Sequence, residues 1–239
     1  MTLVEAGPDA PDEASRFVRM LQFGDSMLPV GSFAFSGGLE SAIQKGVVTG
    51  ADTLLAFTRT AVEQAARGDG IALLHAHRAA LHGDLDRVAE IDALVYARKL
   101  SAETRTMTVR IGRKYASLGV DVIGAPLLQA WRERVESGAT PGCYPVAVAT
   151  NFAAQGLPER AAFVVHQHGV AAMILGAALR LLKIGHVDTQ RMLYRLNGEA
   201  SAAYATAAGA TLEDMASFAP LAEILAAVHV KAHVRLFMN

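Results

Sequence analysis

"PERAAFVVHQHGVAAMILGAALRLLKIG", Pro158 to Gly185, is the stretch whose reading decides the fold. Pro158 stands where a first helical turn tolerates proline. Phe163, Val164, Met173, Leu175, Leu179 and Leu182 then recur without the strict alternation of a strand until Gly185. A bilayer span is the rival reading. The longest uncharged apolar run inside the stretch, Gly169 to Leu179, ends at Arg180 and falls well short of the roughly 20 residues a crossing needs. The expectation is a long helix covered by other helices.

The segments on either side repeat this pattern with their own punctuation. Upstream, apolar spacing turns helical from Ser15 through Phe17, Met20 and Leu21 and stops near Asp25. A short helix carries Leu39, Ala42 and Ile43 to Gly46. Asp52 heads a helix that stops at Gly68, Asp69 caps another that stops at Gly83, and Asp84 caps the next; Ser101 begins one that ends by Gly119. Pro126 and Pro145 open two more, and Gly138 and Gly156 close helices. Downstream, Asp188 caps a helix to about Ala208, and a last one starts near Pro220. No stretch alternates as a strand would, and no repeat period is present. At 239 residues, 52% hydrophobic and only 6% aromatic, the chain has the Ala-rich composition of closely packed helices, and no Ser/Gly/Pro linker divides it. The expected fold is an all-α single-domain bundle of about ten helices without a sheet, over residues 15–239. A disordered, acidic and proline-bearing segment, residues 1–14, precedes it.

Composition also removes whole classes of function. Cys143 is the one cysteine, so an internal disulfide and a Cys-cluster metal site are both excluded. With 22 basic and 23 acidic residues, the chain shows no electrostatic footprint for nucleic acid. The N-terminus lacks the basic start and apolar core of a signal peptide, which points to the cytoplasm. No phosphate-cradling motif and no nucleophile elbow occur. His229 and His233 are four apart and would share a helical face, the geometry of a metal pair, and they keep open the alternative of a helical metalloenzyme. The zincin glutamate is missing and no third ligand suggests itself. Arg105 and Arg110 read as partners of acids on a neighbouring helix, the commoner fate of such charges, or as arginine-finger candidates.

Two apolar features are left without a chemical role. "DSMLPVGSFAFSGGLE", Asp25 to Glu40, is too apolar for a solvent loop and too rich in Pro and Gly for a helix. The chain end "HVRLFMN" places Leu236, Phe237 and Met238 beside Arg235. Exposed apolar segments of this kind mark docking surfaces.

At this point the residues match a known pattern. "LQFGDSMLPVGSFAFSGGLESAIQKGVV", Leu21 to Val48, resembles the opening signature of the urease accessory protein UreF family. "ETR" at Glu103 to Arg105 followed by Gly112, "ALRLLKIG" at Ala178 to Gly185 followed by Gln190, and His229 with Arg235 to Phe237 agree in order and spacing. The resemblance implies an all-α, homodimeric, non-enzymatic chaperone without cofactor. It bridges UreD (also called UreH) to the GTPase UreG so that the assembly loads nickel into apo-urease. It implies that Arg235, Leu236 and Phe237 become ordered against UreD. It places Phe33, Phe35, Leu39 and Glu40 at assembly surfaces, with plain core as the other reading, and makes Arg180, Lys183 and Gln190 a partner-facing or passage-lining polar set. The family often has Gly, Gln and Ser where Ser32, His186 and Asn239 stand.

Overall fold

The computed structural model of the chain describes residues 12–216 and 236–238. Ten α-helices occupy these residues: α1 (Glu13–Gly24), α2 (Leu39–Gln44), α3 (Ala51–Ala65), α4 (Ile71–Leu81), α5 (Leu85–Ala97), α6 (Ala102–Ile123), α7 (Pro126–Glu136), α8 (Tyr144–Ala154), α9 (Glu159–Leu181) and α10 (His186–Ala208). No strand occurs among the described residues, as an all-α bundle requires. The helix expected near Pro220, the His229/His233 pair and Arg235 lie outside them.

Most helix starts follow from local capping chemistry. Asp84 and Ser101 accept the backbone N–H of Arg87 and Thr104, and Pro126 opens the first turn of α7. The first helix begins two residues ahead of Ser15, because Asp12 accepts the N–H of Ser15 at 2.7 Å.

Two expected stops are absent. Gly68 and Asp69 do not separate two helices; a single π-turn, Ala66–Gly70, carries α3 into α4. Gly70 serves packing instead, since a Cβ there would stand 2.5 Å from the ring of Phe163. Asp69, free of capping duty, pairs with Lys99 at 2.7 Å. Gly119 likewise sits inside α6 against Asn151, and that helix runs on to Gly124, whose left-handed backbone ends it.

The helix α9, 23 residues long, is the axis of the molecule. It packs against α10, α3, α8, α4, α1 and α2. By length and composition it could cross a membrane, longer than the apolar run alone suggests, yet half of that stretch is buried inside the protein. Beside it α8 is buried from Pro145 to Ala153 and packs on α4 and α6. Small side chains permit this closeness. At Gly112 of α6 any Cβ would lie 2.2 Å from the carbonyl oxygen of Gly142.

The link into α8 is fastened by a buried acid. Asp92 of α5 accepts the Thr140 hydroxyl and the Gly142 N–H at 2.6 Å each and the Cys143 N–H at 2.7 Å. Burial raises its carboxyl above the usual carboxylate range, and these three donors pull the other way. Burial also pushes the Cys143 thiol up, so it stays a neutral packed side chain.

Candidate functional site

The irregular stretch after α1 resolves into a chain of tight turns. Asp25 accepts the Met27 N–H at 2.8 Å, Gly31 takes a positive φ of 80°, and Ser32–Ala34 form one 3₁₀ turn. Gly37 and Gly38 follow at φ 62° and 84°, a pair of left-handed residues that reverses the backbone into α2. Gly37 is doubly constrained, because a Cβ would also press Ile174 and Met173 at 3.2 Å.

These turns sort the apolar side chains. Val30, Phe35 and Leu39 enter the core, whereas Met27 and Phe33 remain 83% and 73% exposed. Glu40 is buried as well. A carboxylate out of water needs donors, and the chain end supplies them. The N–H groups of Leu236 and Phe237 donate to the two carboxylate oxygens of Glu40 at 2.8 and 3.1 Å, and the Met238 N–H donates to the Ala34 carbonyl at 2.8 Å.

The Phe237 ring fills a second apolar cluster with Leu39, Ile174, Leu175 and Ala178, and is 4% exposed. Arg180 of α9 closes over it. Its guanidinium lies 4.0 Å from the ring centroid and donates to the Phe33 carbonyl at 2.7 Å. One arginine thus ties the central helix, the turn-rich loop and the chain end together. Leu236 and Met238 flank the buried ring at 59% and 43% exposure.

Ordering three residues costs roughly 1–2 kcal/mol each in backbone entropy. Each charge-assisted bond, and burial of the ring, returns roughly 1.5–3 kcal/mol. Among the described residues, these opposing contributions leave a balance on the order of a few kcal/mol.

Behind the clamp lies a cleft of about 620 Å³, bounded by the loop, α6, α9 and α10. Arg180, Phe33 and Gln190 line it, as do the Asp69–Lys99 ion pair, His166 and Tyr144. Burial holds His166 near a pKa of about 4, hence neutral, and pushes the Tyr144 hydroxyl up to about 12. Their rings lie 5.6 Å apart.

The residues singled out in the sequence thus fall into separate places. Phe33, Glu40, Arg180, Leu236 and Phe237 meet at the clamp, and Phe35 and Leu39 are buried beside it. Gln190 is exposed one turn into α10 at the cleft, and Lys183 is exposed in the link between α9 and α10. No group of three His, Cys, Asp or Glu side chains suited to a metal ion occurs among the described residues. The Asp69–Lys99 pair and His166 carry no local sequence signal, since the paired residues stand 30 positions apart and meet only through the unbroken α3–α4 rod.

The UreF family pattern matches residues 48–197, more than half of the chain.

The chain belongs to the UreF family.

Relatives extend the match beyond that region. Urease accessory protein UreF 2 of Brucella canis is 52% identical over 222 residues, 93% of this chain and 91% of its own length. Urease accessory protein UreF 1 of Brucella melitensis is 51% identical over 222 residues, covering 93% and 92%. Urease accessory protein UreF of Yersinia enterocolitica is 47% identical over 226 residues, covering 95% and 99%. These relatives are named urease accessory proteins, and this chain, a member of their family, is an accessory protein rather than an enzyme.

Proposed function

We propose that this chain is a nickel-insertion chaperone of the cytoplasm. In this reading it bridges UreD (UreH) to the GTPase UreG, so that the assembled complex loads nickel into apo-urease with GTP hydrolysed by UreG. Nickel is cargo here. The observation that carries the reading is the clamp: a chain end held by Glu40 and Arg180, flanked by the exposed apolar side chains of Phe33, Leu236 and Met238, with Met27 exposed at the cleft behind it. An apolar rim around a segment held by a few kcal/mol suits a partner that re-seats the segment, and a standard interface of about 1,600 Å² would cover it.

Arg180 and Gln190 line the cleft beneath that surface, which suits a passage-lining role; Lys183, outside it, suits a partner-facing one. Homodimerisation is assigned to α10, where Val187 and Tyr194, seven residues apart on one helical side, are 62% and 83% exposed.

The test is capture of UreD by the full chain and by a chain truncated after Val234. The full chain is expected to retain UreD and the truncated chain to lose it. Equal capture by both would remove the clamp from the partner surface.

A further inference from the structure

On α6 the basic residues run Arg105, Arg110, Arg113 and Lys114, in a chain whose overall charge is −1. The three arginines line one wall of a groove of about 730 Å³. Tyr96 and the Gly138–Pro141 turn form the opposite wall. Among the described residues no Asp or Glu lines it, and none forms an ion pair with any of the three guanidinium groups.

Among the described residues each guanidinium is steadied by neutral groups rather than by a carboxylate. Arg105 donates through Nε to the Lys99 carbonyl at 2.6 Å and lies over the Tyr96 ring at 5.8 Å. Arg113 donates through Nε to the Pro141 carbonyl at 3.0 Å, and Arg110 touches the Met238 sulfur at 3.3 Å. Arg113, tethered through Nε, keeps both Nη groups for a planar, bidentate acceptor, whereas Arg105 spends one Nη on the Leu100 carbonyl at 3.5 Å and Arg110 one on the Met238 sulfur, so that each still offers the other.

We infer that this groove binds an extended acidic peptide segment of a partner protein, carrying at least two carboxylates. Spacing favours a peptide over a single oxyanion. From Arg105 to Arg113 the helix rises about 12 Å at ~1.5 Å per residue, the length of about four residues of extended chain at ~3.3 Å each. A single phosphate cannot reach both ends. The contact between Arg110 and Met238 makes the groove continuous with the clamp. This inference goes beyond the proposed chaperone role and is tested on the isolated chain, without UreD, UreG or nickel.

The experiment is fluorescence anisotropy of a fluorescein-labelled (Glu-Gly)₃ peptide with the full chain at low salt. Saturable binding is expected, weakened at least tenfold in the double variant Arg110→Ala/Arg113→Ala and steeply by 0.3 M NaCl. The reversed variant Arg110→Glu/Arg113→Glu is expected to exchange preference and bind a labelled (Lys-Gly)₃ peptide, a gain that a misfolded protein would not show. No binding by the wild type, equal affinity in the alanine variant, or no exchange of preference on reversal would overturn the inference. Displacement of the peptide by inorganic phosphate at equal concentration would overturn it in favour of a single-oxyanion site.

Discussion

Asp92 and Glu40 are both buried carboxylates, and each accepts two backbone N–H groups, yet they do different work. Asp92 reaches Gly142 and Cys143, 50 and 51 residues away, inside a core where α8 is covered on every side. Glu40 reaches Leu236 and Phe237, 196 and 197 residues away, at a short segment whose flanking side chains lie in water. The same chemistry builds a permanent joint where its donors belong to a buried link between packed helices, and a more easily opened one where they belong to a segment with exposed flanks. What separates them is the apolar surface closed over the bonds, since burial multiplies the cost of leaving a donor unpaired.

Substitution at the core joint should have the largest effect. Asp92→Ala leaves three donors unsatisfied in the interior and is expected to lower global stability by about 3–5 kcal/mol, read by urea denaturation. A loss below about 1 kcal/mol would show that the two joints are energetically alike.

The next effect is a pH dependence confined to the core side of the cleft. His166 is held near a pKa of about 4, below its ordinary unfolded value of about 6.5. Above the unfolded value both states are neutral and stability is complete. As pH falls through the unfolded value toward the folded one, the unfolded chain takes up a proton that the folded chain refuses, and about 3 kcal/mol is lost by pH 4. His166→Phe should flatten that slope, as unfolding free energies measured between pH 7 and pH 4 will show. An unchanged slope would assign the loss to other groups.

Glu40→Gln sharpens the comparison from the other side. The amide keeps one acceptor and turns an N–H₂ toward a backbone donor, so about 2 kcal/mol is lost locally. Amide exchange at Phe237 should quicken by more than tenfold while the melting temperature moves little. A large fall in melting temperature would make the clamp part of the core. The smallest effect expected is that of Arg180→Lys, which keeps the charge but loses the planar stack on Phe237, about 1 kcal/mol in the same exchange measurement.

The difference between the two joints also explains what could be read from sequence. Helix starts at Asp84, Ser101 and Pro126 were legible because capping is local chemistry. Gly68 and Gly119 misled because a glycine inside a continuous helical rod and one that ends a helix look alike in sequence: Gly68 lies in the π-turn that joins α3 to α4, and Gly119 admits the Asn151 side chain. The segment from Asp25 to Glu40 stood out by composition, but which of its apolar residues turn inward depends on three successive positive-φ glycines rather than on any period. The clamp itself was illegible in detail. Its donors are backbone N–H groups, which every residue but proline carries, and they meet Glu40 across nearly the whole chain.

The central claim is that the exposed apolar rim of the clamp is a docking surface. Its most direct test is the affinity of UreD for the variant Phe33→Ser/Leu236→Ser. Both side chains are mostly in water, so folding should be unaffected. The account predicts unchanged melting and at least a tenfold loss of UreD affinity in isothermal titration. Wild-type affinity in a normally folded double variant would contradict it.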